Sequence, residues 1–332
     1  MNAPAAPEVI LTTCLVQLAR WLQGEGYGFT TVSPATHARV IARQPGQPAR
    51  NLRDVFGWSR PFAPSLLPQE PIDVLRAAGL LQPAEDGLLR SAVRFSALQG
   101  DLFAHSAYPT VEEDAVFFGP DTYRFGALIA QELRHAPLRP DARILDVGCG
   151  AGPGGIVAAR TTGQGTSRLV LADINARALC FAKANAVHAG CSEAELVQGD
   201  LFAPLEASFD LIVANPPYLN DLKQRLYRHG GGRWGEALSA RIVREGVERL
   251  APGGRLVLYT GAAMVDGSDP LLEALQPHLD ASGHPWLYRE LDPDVFGEEL
   301  EEPAYADAER IVAVALVVHR QAARGEARPG RA

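Results

Sequence analysis

A chain of 332 residues and 35.6 kDa is too long for one small module and too short for a many-domain assembly, so about two domains are expected. With 47% hydrophobic and 21% charged residues it can bury a sizeable core, which excludes a disordered chain. Thirty-one basic residues, all arginine except Lys183 and Lys223, stand against 39 acidic ones, and the net charge of −8 leaves no chain-wide basic footprint for nucleic acid.

No apolar run approaches the ~18–20 residues that span a bilayer; the longest is Ile311–Val318. Met1-Asn2-Ala3-Pro4 has neither a basic nor an apolar leader region, so no signal peptide is expected. Cys14, Cys149, Cys180 and Cys191 form no C-x-x-C pair. The expectation is a cytoplasmic protein with reduced thiols and no membrane partner.

In chain order, apolar residues at Ile10, Cys14, Leu15, Leu18, Trp21 and Leu22 give Glu8–Gln23 a helical period. Ser33-Pro34 offers an N-cap and an N1 proline for a second helix to about Arg43. Prolines 45, 48, 61, 64 and 68 then interrupt regular structure, and Pro71 restarts a helix that Gly79 ends. Leu80–Gln82, a turn at Glu85-Asp86-Gly87, and Leu88–Ala97 read as a β-hairpin. Helices followed by a hairpin loosely resemble a winged helix. Residues 1–110 are therefore expected to be an accessory or substrate-recognition domain.

From Asp141 strands alternate with helices. Strands are expected at Arg143–Val147, Arg168–Ala172, Glu195–Gln198, Phe209–Ala214, Arg255–Tyr259, Trp286–Leu291 and Ile311–Val318. Helices are expected at Pro153–Thr161, Asn175–His188, Glu236–Leu250 and Pro270–Leu279. That rhythm implies a parallel sheet wrapped by helices, assigned to residues 111–320. Residues 290–309 carry nine carboxylates and no base, so the rest of the chain sums to +1. The polar, basic tail 321–332 is expected to be disordered.

The first of these strands runs into Asp146-Val147-Gly148-Cys149-Gly150-Ala151-Gly152-Pro153-Gly154-Gly155, which opens a helix. Glycines there let the backbone turn tightly and let a ligand approach the helix N-terminus. Gly150-x-Gly152-x-x-Gly155 also satisfies the dinucleotide pattern, a weak signal by itself. Asp173 ends the next strand, where a carboxylate grips a ribose diol. Nicotinamide dinucleotides and S-adenosyl-L-methionine (SAM) both carry that ribose. Asp146 favours SAM, because a carboxylate beside the loop repels a pyrophosphate but not an ammonium. A second motif follows on Phe209–Ala214, an apolar strand ending in Asn215-Pro216-Pro217-Tyr218. Two prolines stop the ladder and aim rigid backbone groups at the crevice where open α/β sheets bind ligands.

On these two motifs the stretch Phe118–Arg320 resembles the class I SAM-dependent methyltransferases of the Asn-Pro-Pro-Tyr type, most closely the release-factor glutamine N5-methyltransferase branch. The resemblance implies an α/β fold: a seven-stranded Rossmann-like sheet with a smaller N-terminal helical domain. It implies SAM as cofactor and S-adenosyl-L-homocysteine as product. Gly148, Gly150 and Gly152 would line the methionine end of SAM, and Asp173 would hold the ribose hydroxyls. Asp200, followed by Leu201, would meet the adenine amino group while Ile174 packs on the adenine. Asn215 and the Pro216 carbonyl, stiffened by Pro217, would accept the N–H bonds of a planar nitrogen, and Tyr218 would pack against the flat target.

Upstream, Gly119-Pro120-Asp121-Thr122-Tyr123-Arg124 departs from the Pro-Arg-x-x-Thr-Glu usual in the release-factor enzymes, which puts the substrate in question. Thr122 and Tyr123 are candidates to line the site, with an N-cap role for Asp121 or Thr122 as the alternative. The run from His229 to Gly235, containing Trp234, is a candidate lid over the target or an ordinary loop. Walker, G-x-S-x-G and H-E-x-x-H patterns are absent, so no metal is expected. Cys149 reads as a small residue in a tight turn rather than a nucleophile. The expected reaction is N-methylation of a protein glutamine in a basic partner, such as a translation factor or ribosomal protein. An exocyclic amine of an RNA or DNA base is the alternative substrate, and a non-catalytic SAM-binding interaction protein the alternative class.

Overall fold

The computed structural model describes residues 7–163, 167–221, 225 and 227–322; most of the tail expected to be disordered lies outside them. Helix α1 (Pro7–Gly24) leads to α2 (Pro34–Ala42), where the Ser33 hydroxyl accepts a hydrogen bond from the Thr36 N–H at 3.2 Å, the anticipated N-cap. A five-residue α3 (Leu52–Phe56) and α4 (Gln69–Ala77) follow. The expected hairpin forms from β1 (Leu81–Pro83) and β2 (Leu89–Ser91). A second, unanticipated hairpin pairs β3 (Val93–Leu98) with β4 (Asp101–Ser106).

Helix α5 (Pro120–His135) then enters β5 (Arg143–Val147), α6 (Pro153–Thr162), β6 (Arg168–Asp173), α7 (Ala176–His188), β7 (Glu195–Gln198) and β8 (Phe209–Ala214). Next come α8 (Ala237–Glu248), β9 (Leu250–Met264), α9 (Pro270–Ser282), β10 (Trp286–Asp292) and β11 (Arg310–His319). The seven-stranded sheet has the order β10-β11-β9-β8-β5-β6-β7, with β11 antiparallel to both its neighbours. The fold is α/β as expected. Along β11, Ile311, Ala313, Ala315 and Val317 join one core, and Val312, Val314, Leu316 and Val318 the other. That period of two is why so apolar a strand lies between two helical layers.

The chain leaves β5 toward β6 on one side and returns through β8 on the other. Val147 sits beside Ala214 in register, so the glycine loop and the Asn215 loop leave the sheet side by side at its topological switch point. A third core joins Leu15, Leu18, Phe56, Leu75 and Phe95 of the N-terminal part to Ala178, Phe181 and Ala184 on α7. Buried Asn185 fastens the two parts: it exchanges hydrogen bonds with Ala104 at 2.8 and 3.1 Å and donates to the Ala151 carbonyl at 2.9 Å. Among the described residues, no helix is long and apolar enough to cross a membrane.

Candidate active site

Both motifs open on one cavity of about 490 Å³. On its glycine-loop wall, Gly148 and Gly150 adopt φ of +67° and +54°, a region that side chains rarely enter. The Gly150 N–H donates to Asp173 Oδ2 at 2.8 Å and the Asn175 N–H to Oδ1 at 2.9 Å, so Asp173 ties the first loop to the end of β6. Asp146 is fully buried beneath, accepting the Gly155 N–H at 2.7 Å. Burial, with a lesser push from the charge of Asp173, raises its carboxyl to about 8. The Cys149 thiol is driven well above its usual value, first by burial and then by Asp173, which fits a packed turn residue rather than a thiolate.

The second wall carries Ile174, Asp200 and Leu201. Ile174 is 54% exposed, an apolar surface turned toward space that a flat ring can cover. Asp200 lies at the rim, where Arg241 donates to its Oδ1 at 2.9 Å. Opposite stand Asn215, Pro216, Pro217 and Tyr218. Among the described residues nothing hydrogen-bonds to the Asn215 side chain or the Pro216 carbonyl. The Tyr218 hydroxyl, by contrast, is committed to Asp121 Oδ2 at 2.5 Å.

Three expected residues do not line the cavity. Gly152, at φ +80°, caps α6 and faces Ile156 and Ala182. Tyr123 points to the N-terminal part, where its hydroxyl accepts the Thr31 N–H at 2.8 Å. Its neighbours Asp121 and Thr122 do line the cavity. Trp234 is buried against Tyr305, with Arg233 over its ring at 4.5 Å. The segment 229–235 reaches the cavity at His229 and is bonded to the loop that follows Asn215–Tyr218. Leu219 pairs with His229, the Gly230 N–H donates to the Leu219 carbonyl at 2.8 Å, and Asn220 Nδ2 donates to the Arg233 carbonyl at 2.9 Å.

Asp121, named from the sequence as an N-cap alternative, lines the cavity while Gly119 caps α5, and Phe117, Tyr227 and Phe296 join it without having been singled out. Phe117 and Tyr227 stack with centroids 5.8 Å apart, and Phe296 meets Tyr218 edge-on at 5.8 Å. Phe296 belongs to the acidic segment, which therefore borders the site. Nothing in the local sequence marks it, since its placement depends on the return from β10 to β11.

A family model for the methyltransferase small domain matches residues 110–276, half of the chain and all of both motifs. The chain belongs to that family. Ribosomal RNA small subunit methyltransferase C of Escherichia coli O9:H4 is 30% identical over 141 residues, 42% of this chain and 37% of that protein. Release factor glutamine methyltransferase of Rhodopirellula baltica is 30% identical over 166 residues, 44% of this chain and 55% of that protein. The chain thus spans between about a third and a half of these relatives. A SAM-dependent methyltransferase structure from Agrobacterium tumefaciens aligns with a TM-score of 0.46 at 17% identity, over 77% of this chain and 80% of that one. The cofactor of this methyltransferase small domain is SAM. The cavity fits it: an exposed apolar wall at Ile174, a carboxylate at the end of β6, and a buried carboxylate under the glycine loop that an ammonium would neutralise.

Proposed function

We propose that this chain transfers a methyl group from SAM to a planar nitrogen, most favourably a protein glutamine side-chain amide. The observation that carries the reading is the pair of unmet acceptors, the Asn215 side-chain oxygen and the Pro216 carbonyl, on the same cavity as Asp173. When bound, SAM supplies an electrophilic methyl on a cationic sulfur. An amide nitrogen is a poor nucleophile because its lone pair is delocalised. Asn215 and Pro216 take its two N–H bonds, aim the lone pair and favour a pyramidal nitrogen, an effect that grows toward the transition state. Pro217 stiffens the loop, and Tyr218 walls the flat group from water. On the cofactor side Asp173 accepts the ribose hydroxyls, and Ile174 and Leu201 pack on the adenine. Asp200 takes its amino group, while Gly148 and Gly150 leave room for the methionine end above Asp146.

Residues 1–110 are the accessory module, fastened through α7, and the four unpaired thiols suit a cytoplasmic protein. Preference for a basic protein rests on residues 290–309. Asp294, Glu298, Glu301, Glu302 and Glu309 have no ion pair among the described residues, and Phe296 brings this segment to the cavity. The second reading, an exocyclic base amine in RNA or DNA, is favoured by the stacked Phe117–Tyr227 pair and by a relative named for ribosomal RNA. Purified protein incubated with labelled SAM and cell lysate distinguishes the two. Label in protease-sensitive material is expected; label in nuclease-sensitive material moves the substrate to the second reading.

A further inference from the structure

Asp121 is 5% exposed at the second position of α5, yet it is crowded with donors. Tyr218 donates to Oδ2 at 2.5 Å, Tyr259 of β9 to Oδ1 at 2.7 Å, and Arg124 reaches Oδ1 at 3.2 Å. Arg124 turns its other nitrogen to Asp292 at 2.7 Å, at the root of the acidic segment. The Tyr218 ring is thereby held on several sides. Its hydroxyl is fixed by Asp121, its face lies where Gly261 has no side chain, and its far side meets the edge of Phe296. Phe296 holds a backbone φ of +55°, an unfavourable region for a bulky residue that persists only where surrounding contacts demand it. Tyr218 is three residues from Asn215 across two prolines, so fixing the ring fixes the loop.

We propose that Asp121 is a positioning residue for the acceptor slot: it anchors Tyr218 and, through Arg124 and Asp292, ties the segment bearing Phe296 to the same wall. This rests on the reading of Asn215–Tyr218 as the acceptor loop. Asp121 acts on methyl transfer and not on the cofactor, because its donors come from the Tyr218 side of the cavity.

The test compares Asp121→Ala, Asp121→Asn, Tyr218→Phe, the double variant Asp121→Ala/Tyr218→Phe, Tyr259→Phe and Asn215→Ala. Two quantities are measured: calorimetric affinity for S-adenosylhomocysteine, and the rate of label transfer from SAM into lysate protein as lysate concentration is varied. Asp121→Ala is expected to lower the saturating rate about tenfold or more, with S-adenosylhomocysteine affinity changed less than about threefold. Asp121→Asn, which can still bond the tyrosine hydroxyl, should recover part of the rate. The double variant should lose little beyond Asp121→Ala alone, because the two groups act as a unit. Should Asp121→Ala fail to fold, the hydroxyl deletions carry the test: Tyr218→Phe must slow transfer more than Tyr259→Phe. Additive losses, an equal fall in cofactor affinity, or a normal rate in Asp121→Ala would overturn the proposal. An inactive Asn215→Ala beside a normal Asp121→Ala overturns this proposal alone, whereas a normal Asn215→Ala overturns the acceptor-loop reading with it.

Discussion

Asp146 and Asp173 are neighbouring carboxylates with different surroundings. Asp146 is sealed under the glycine loop, and burial lifts it from its ordinary 3.8 to about 8. A carboxyl raised in the folded state adds stability that is fully present below 3.8 and is lost as the pH rises through about 8. A cationic ligand beside it favours the charged form and reverses part of the shift. Cofactor binding at pH 6.5 should therefore release a proton, and affinity should rise toward pH 8. Calorimetry in buffers of different ionisation enthalpy reads this directly, and Asp146→Asn should abolish the buffer dependence. Asp173 also keeps a raised carboxyl, first through burial, but its oxygens already hold two backbone N–H groups. Asp173→Ala should weaken S-adenosylhomocysteine binding by about 1.5–3 kcal/mol, as for a charge-assisted hydrogen-bond partner. Unchanged affinity would remove Asp173 from the ribose site.

Among elements, the loop after β8 and the segment under it act as one piece. Asn215→Ala should leave cofactor affinity nearly unchanged and cost at least ~10²-fold in turnover, the range for losing a positioning or transition-state hydrogen bond. Gly235 bears on the same loop from below: at φ +89° it has no room for a Cβ, which would collide with the Tyr218 carbonyl oxygen. Gly235→Ala should thus slow transfer in the same direction as Asn215→Ala, with cofactor binding again spared; a normal rate would mean the segment is no support. This close contact was not legible in the sequence, because glycines that allow close approach look the same as glycines that allow motion. Both sheet motifs were legible, since each is a short apolar strand broken by residues with fixed backbone habits. Strand β4 was missed because His105 and Ser106, polar by type, are buried there and bonded to Ser96 and Val116. Strand β9 was expected only over Arg255–Tyr259; Gly253-Gly254 and Gly261-Ala262-Ala263 have little strand propensity, and pairing with β11 carries it to Met264.

For the whole molecule, the proposed acceptor class rests on where charge lies around the cavity. Arg124, Arg228, Arg233 and Arg310 pair with Asp292, Glu299, Asp307 and Glu290, so four of the nine carboxylates in 290–309 are neutralised by structure. Glu298, Glu301 and Glu302 lie on the exposed side of the same segment, close along the chain to Phe296. A phosphate backbone approaching them is repelled, and an arginine- or lysine-rich protein is attracted over about a Debye length, ~8–10 Å. The arginines of the N-terminal part offer little opposing basic surface. Of Arg39, Arg43, Arg50, Arg53 and Arg60, Arg60 is buried on the carbonyls of Gln44 and Gln47, and Arg53 is bonded to the Gly28 carbonyl. Methylation of protein acceptors should therefore weaken as salt rises. Reversing Glu298, Glu301 and Glu302 to lysine should weaken it at low salt while leaving S-adenosylhomocysteine affinity unchanged. Glu299 is spared in that variant because Arg228 depends on it. If the full chain instead binds RNA with a steep salt dependence, and the lysine variant binds it more tightly and labels it faster, the acidic segment is a barrier to the true substrate and the acceptor is a nucleic-acid base.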